Sequence, residues 1–248
     1  MRFILFFMLF ASSFSFAANI QVAVAANVSY AIDELVQEFN VEHPDTKVRV
    51  ILGSSGKLTA QISHGAPYDL FMSANMKYPE ALYEKNLSNT KPVVYAEGTL
   101  ALFSVKKHDF RKGLELLKDV NVKKIAVANP KTAPYGIAAE EALKNANIYD
   151  AVKSKFIYGE SVSQTVSYAV TAADMGIIAT SSLYSKHMTQ YKKNLNWIEL
   201  DSSLYTPIKQ GIILLKRSKS MSDAKAFYDF MLSKKAKNIL EKYGYKEP

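Results

Sequence analysis

A chain of 248 residues, 48% apolar and 22% charged, can fill one large core or two ordinary ones, which excludes wholesale disorder, collagen and coiled coil. Its 31 basic and 23 acidic side chains leave a net charge of +8, but the lysines are scattered and no basic run interleaves with aromatics, so the balance reads as a solvated exterior and not as a nucleic-acid footprint. The absence of cysteine excludes disulfides, thiolate catalysis, iron–sulfur clusters, Cys-based zinc sites and a lipid-modified N-terminal Cys.

Residues 1–17 stand apart. Arg2 precedes the apolar run Phe3 to Ala11, and small residues follow at Ser15 and Ala17. This is the pattern of a cleaved export signal, with cleavage expected after Ala17 or Ala18. The alternative, a membrane anchor, would need about 20 apolar residues, more than the run supplies. Without Arg2 the net charge is +7, and the mature chain is expected to be soluble and exported.

Strands and helices then alternate. Asn19 to Ala26 has Ile20, Val22 and Val24 at period two and reads as a strand. Ile32, Leu35, Val36 and Phe39 recur at helical spacing, and Asn40 and Pro44 end that helix. Lys47 to Leu52 is a second strand, followed by the tight loop Gly53-Ser54-Ser55-Gly56 and a short helix through Leu58 and Ile62. Tyr68 to Met72 is a third strand, with a helix near Pro79 to Glu84.

A long extended run spans Val93 to Val105, and another spans Pro207 to Leu215. Between them lie strands at Lys124 to Ala128, Phe156 to Tyr158 and Gly176 to Ala179, and helices at Tyr135 to Lys144 and Val162 to Ala172. Trp197 reads as a packing residue, and one long helix is expected from Ser222 to about Tyr243. Repeated βα units predict an α/β fold of mostly parallel sheets flanked by helices. One set inserted in the other, bracketed by two extended runs, predicts two lobes joined by two crossovers. The expected division is a signal peptide at 1–17, lobe I at 18–97 plus 207–248, and lobe II at 98–206.

In open α/β sheets ligands sit beyond the carboxyl ends of strands. Four such handovers carry small or polar residues: Ala25-Ala26-Asn27, Gly53-Ser54-Ser55-Gly56, Ala133-Pro134-Tyr135-Gly136 and Glu160-Ser161-Val162-Ser163. Each leads into a helix, whose first N–H groups lack partners and carry about half a positive charge. Converging on one cleft, they would bind an anion without Lys or Arg, and Asn27, Ser55 and Tyr135 could add side-chain donors. Each loop taken singly reads equally as an N-cap, and Ser161-x-x-Gln164 fits a capping box.

Enzyme signatures are weak. Ser54 and Ser55 lie outside any G-x-S-x-G elbow, and His43, His64, His108 and His187 form no H-x-x-x-H pair. Asp33, Glu34, Glu140 and Glu141 fall near helix starts, where they suit the helix dipole better than acid/base work. The 15 tyrosines leave an iron-binding cleft open, although no two are adjacent.

The chain resembles the periplasmic molybdate-binding proteins, the ModA family of bacterial ABC transporters, from about Asn19 to its C-terminal helix. The resemblance rests on Ala25-Ala26-Asn27-Val28-Ser29-Tyr30-Ala31, on Gly53-Ser54-Ser55-Gly56-Lys57-Leu58, and above all on the run Gly65 to Ala74, GAPYDLFMSA. Asn129-Pro130, Ala133 to Gly136 and Met175 to Ile178 add to it. It implies a two-lobed periplasmic-binding-protein fold of type II, with a mixed, mostly parallel sheet in each lobe and two crossover strands as hinge.

The resemblance further implies a monomer that binds molybdate or tungstate without a cofactor, in the periplasm, and delivers it to an ABC permease in the inner membrane. It assigns the oxyanion to Asn27, Ser55, Tyr135 and Val162, with Ala26 and Ser54 flanking. The metal atom is then held only through the oxyanion's own oxygens. Some members place a Tyr hydroxyl near Gly176-Ile177-Ile178, where this chain has Ala179; the Tyr135 hydroxyl is expected to replace it.

Such dianions only accept hydrogen bonds, so a site of donors suits them, and it suits sulfate as well. Protonated phosphate wants an acceptor, and Glu160, the nearby acid, is expected to point away. Sulfate is smaller, and fixed donors would discriminate by size. Three alternatives remain open: a sulfate or other oxyanion receptor on the same fold, a periplasmic serine hydrolase using Ser54 or Ser55, and a ferric-iron receptor.

Overall fold

The computed structural model describes residues 18–218 and 221–248; the export-signal reading of 1–17 lies outside them. The strands are β1 (Ala18–Ala25), β2 (Thr46–Gly53), β3 (Leu70–Ser73), β4 (Val93–Gly98), β5 (Leu100–Phe103), β6 (Ile125–Ala128), β7 (Phe156–Gly159), β8 (Met175–Ala179), β9 (Trp197–Glu199) and β10 (Ile208–Leu214). The α-helices are α1 (Ile32–Glu42), α2 (Ser55–Ser63), α3 (Lys77–Glu84), α4 (Pro134–Asn145), α5 (Tyr149–Val152), α6 (Val162–Thr171), α7 (Met221–Met231) and α8 (Lys234–Lys242).

Two five-stranded sheets result, ordered β2-β1-β3-β10-β4 and β7-β6-β8-β5-β9. In each, four strands point one way and one runs against them, β10 in the first and β5 in the second. The period-two pattern decides what each face buries. On β1, Ile20, Val22 and Val24 join a cluster with Leu35 and Phe39 of α1, Phe227 and Met231 of α7 and Leu240 of α8. Ala23 turns to the opposite face, where Phe71 and Ile213 meet Leu58 and Ile62 of α2 and Leu82 of α3.

The second sheet is covered in the same way. Leu100, Leu102, Ile125, Val127 and Ile177 pack with Ala138, Ala139, Ala142 and Leu143 of α4. Ala101, Phe103, Ala126 and Ile178 pack with Val166 and Ala169 of α6 and with Trp197. Trp197 is a packing residue as expected, its indole N–H donating to the Tyr191 carbonyl at 3.2 Å, and it also opens the edge strand β9, which the sequence reading did not contain.

Two expected elements divide. The run Val93 to Val105 breaks at Thr99, where the chain leaves the first sheet for the second. Thr99 is buried, and its carbonyl accepts the Thr180 N–H at 3.0 Å. The chain returns through 200–207, where Leu200 N–H donates to the Leu100 carbonyl at 2.8 Å. The single helix expected over Ser222 to Tyr243 is two helices, because the Ser233 hydroxyl caps a new start by accepting the Ala236 N–H at 3.3 Å.

Candidate functional site

The strands β1, β2, β6 and β7 end at Ala25, Gly53, Ala128 and Gly159, and each hands over to helical backbone. After β1 this is a 3-10 turn, Ala26–Tyr30; after the others it is α2, α4 and α6. The four starts converge. A small cavity is lined by Ala25, Ala26 and Asn27, by Ser54, Ser55 and Ala74, and by Ala133, Pro134, Tyr135 and Val162. All six residues singled out in the sequence line it. No lining residue is charged.

The caps separate two readings of these loops. Ser161 caps α6, its hydroxyl accepting the Gln164 N–H at 3.3 Å, while Gln164 Oε1 reaches one residue past the cap and accepts the Glu160 N–H at 2.6 Å, so the capping box forms on its serine side and the glutamine serves the preceding residue. The turn at Ala26, α2 and α4 have no side-chain cap. Ser54 occupies the cap position of α2, yet its Oγ is buried and makes no hydrogen bond. Three helical starts without a side-chain cap therefore face one cavity, a concentration of positive potential suited to an anion.

Ser55 is arranged differently. Its Oγ accepts the Ala74 N–H at 2.9 Å. The bond fills one lone pair and leaves the hydroxyl proton available as a donor. Ala74 directly follows β3, so the orientation is fixed within the first sheet's own unit. Neither Ser54 nor Ser55 bonds a His, Asp or Glu side chain among the described contacts.

Asn27 is 1% exposed. Its Nδ2 donates to Gln210 Oε1 at 2.8 Å and to the Tyr245 hydroxyl at 2.8 Å, so both amide protons expected for a ligand are committed within the protein. Its carbonyl accepts from Ser181 Oγ at 3.1 Å and from the Tyr245 hydroxyl at 2.9 Å. The Tyr135 hydroxyl is buried beside these groups, without a well-formed hydrogen bond, and packs on Gly98, where any Cβ would collide with it. Gln210, Tyr245 and Ser181 carry no local sequence signal; they lie 183, 218 and 154 positions from Asn27.

The two sheets' loops also meet across the cavity. Gly56 N–H donates to the Thr132 carbonyl at 2.9 Å. Lys57 Nζ lies 2.8 Å from Glu160 Oε1, both side chains about half exposed. Glu160 is thus turned outward to a lysine, as expected, and contributes no acceptor to the cavity lining.

Burial raises the Tyr95 and Tyr135 phenols well above their ordinary range and pushes Tyr245 up to about 12. The folded state therefore holds protons on these groups that the unfolded chain releases near pH 10. Stability from this source is complete below pH 10 and falls as pH climbs toward 12, at about 1.4 kcal/mol per unit for each phenol. Thermal melts should show a transition insensitive to these groups up to pH 9 and dropping steeply above 10. Tyr95→Phe should flatten that drop; an unchanged slope would show that Tyr95 does not titrate on unfolding.

Known proteins provide a comparison for this geometry. The family described as bacterial extracellular solute-binding protein matches residues 20–246. The molybdate-binding protein ModA of Azotobacter vinelandii is 33% identical over 234 residues, covering 92% of this chain and 90% of the relative. ModA of Rhodobacter capsulatus is 33% identical over 231 residues, covering 92% and 88%. The solved structure of the Azotobacter vinelandii periplasmic molybdate-binding protein superposes with a TM-score of 0.85 at 28% identity, covering 92% of this chain and 99% of that one. A match over nearly every described residue, in both sequence and fold, places the chain among the bacterial extracellular solute-binding proteins, in the ModA family.

Proposed function

We propose that the protein captures molybdate or tungstate between two lobes, 18–97 plus 207–248 and 98–206, and hands the anion to an ABC permease in the inner membrane. The observation that carries this reading is the uncharged cavity, where three uncapped helical starts meet beside a buried, unpartnered Ser54 hydroxyl. The donors assigned to the oxyanion are the N–H groups of Asn27, Tyr135 and Val162 and the hydroxyl of Ser55. Ala26 and Ser54 stand at the rim, with Ser54 as a further hydroxyl. The metal is touched only through its oxygens, and no cofactor takes part.

The chain acts as a monomer in the periplasm, after cleavage near Ala17 or Ala18. Its role is that of a binding protein, like its relatives, and among the described contacts neither cavity serine bonds a His, Asp or Glu side chain. Iron capture through tyrosine would call for several phenol oxygens at the cavity, and Tyr135 is the one tyrosine in its lining. Donors fixed at the spacing of the longer metal–oxygen bonds would discriminate against the smaller sulfate.

Calorimetric titration of the mature protein with molybdate, tungstate and sulfate in separate runs tests the reading. One-to-one binding of the first two is expected, with weak or no sulfate heat and a melting temperature that rises with ligand concentration. Sulfate bound as tightly as molybdate would reassign the cargo. Silence toward all three would overturn the function.

A further inference from the structure

The partners of Gln210 fix how it meets Asn27. Gln210 Nε2 donates to the Ile208 carbonyl at 2.8 Å and reaches toward the Ala74 carbonyl at 3.5 Å. Both partners are acceptors, so the Gln210 amide cannot be reversed, and its Oε1 faces Asn27 as an acceptor. The single Tyr245 proton goes to the Asn27 carbonyl at 2.9 Å, so the Tyr245 oxygen accepts from Asn27 Nδ2. Asn27, Gln210 and Tyr245 are 1%, 0% and 4% exposed. Away from water, each broken link would leave a buried group unpaired.

Tyr245 thereby grips the same residue twice, at the carbonyl and at the side chain. It lies beyond α8, anchored by the paired backbone of Glu97 and Lys246, with bonds of 2.9 and 2.8 Å. Asn27 sits in the 3-10 turn whose N–H groups line the cavity.

We propose that Tyr245 is a positioning residue for the oxyanion site: it holds the Asn27 side chain as a strut, so that Asn27 meets the anion through its backbone N–H alone. This deepens the proposed function and rests on it for the identity of the ligand. Were the Asn27 amide itself a donor to the anion, releasing it from Tyr245 would leave affinity intact or improve it. A strut behaves in the opposite way, because loosening it lets the turn drift and blurs the aim of its N–H groups.

The test is a double-mutant cycle read by tungstate and molybdate titration, with amide hydrogen exchange over residues 24–31 of the ligand-free protein as a second readout. Tyr245→Phe keeps the ring and removes both bonds; Asn27→Ala keeps the backbone N–H and removes the strut. Each should weaken anion binding by about ten-fold, and the double variant by no more than the worse single one. Tyr245→Phe should also speed exchange in the Asn27 turn.

Unchanged affinity in Tyr245→Phe alongside a loss in Asn27→Ala would overturn the proposal, and so would additive losses in the double variant. If the wild-type protein binds none of the anions, the proposed function fails on its own. The exchange readout then still decides the strut, since a turn exchanging at wild-type rates in Tyr245→Phe would show that Tyr245 does not hold it.

Discussion

Ser55→Ala is expected to weaken molybdate binding by about ten- to one-hundred-fold or more. A hydrogen bond to a charged acceptor contributes about 1.5–3 kcal/mol, and each 1.4 kcal/mol is a factor of ten in affinity. The hydroxyl is preset for this role by the Ala74 N–H, which occupies its lone pair at 2.9 Å. Because that bond lies within the first sheet's own unit, the donor is already aimed and needs no reorganisation when an anion arrives. The substitution also strands the Ala74 N–H, which is buried. The ligand-free melting point should therefore fall by a few degrees as well. Titration calorimetry and thermal melts on the same preparation separate the two effects. A variant that binds like wild type would remove Ser55 from the site.

The second large effect is expected at Gly136, in the first turn of α4. An added Cβ there would collide with the Ala128 carbonyl oxygen and lie 2.8 Å from the carbonyl carbons of Ala128 and Asn129. These are backbone atoms at the end of β6, which lies between β7 and β8 and cannot recede. Gly136→Ala must therefore push the start of α4 off the sheet, at a cost of about 1–3 kcal/mol in stability. The same shift carries the Tyr135 N–H away from the cavity, so anion affinity should drop by ten-fold or more even where the protein is fully folded. Wild-type melting and wild-type affinity together would show that α4 is not seated as described.

The lining of the cavity was legible in the sequence because its parts are local. Asn27, Ser55, Tyr135 and Val162 each sit in a short polar handover between an apolar strand and an amphipathic helix, and strand–helix order alone puts such handovers on one rim. Ala74 lay inside the run GAPYDLFMSA but suggested no function, since a lone alanine offers only its backbone N–H to a partner 19 residues away. Tyr245, Gln210 and Ser181 were invisible for a stronger reason. They reach Asn27 through contacts spanning more than 150 positions, and nothing in their own neighbourhoods marks them.

The fold shows the same division. The βα alternation was readable, whereas the break at Thr99 was not. Residues 93–103 are continuously β-forming, and what separates β4 from β5 is a choice of partner: β10 on one side, β8 and β9 on the other. The division of the last helix turns on one Ser233 hydroxyl within an otherwise unbroken amphipathic pattern.

The position of β10 also bears on the order in which the molecule can assemble. The second sheet is drawn from one uninterrupted stretch, 100–199, and closes by contacts within it. The first sheet is not self-sufficient in that way: β10 lies between β3 and β4, and β4 has no other neighbour among the sheet's strands. Until β10 is made and threaded into that gap, β4 has no place to dock, although it was synthesised more than a hundred residues earlier. On a chain delivered N-terminus first, the inserted half can therefore complete its core while the half that begins the chain waits for its last strand. This long-range closure is expected to make completion of the first sheet slower than that of the second.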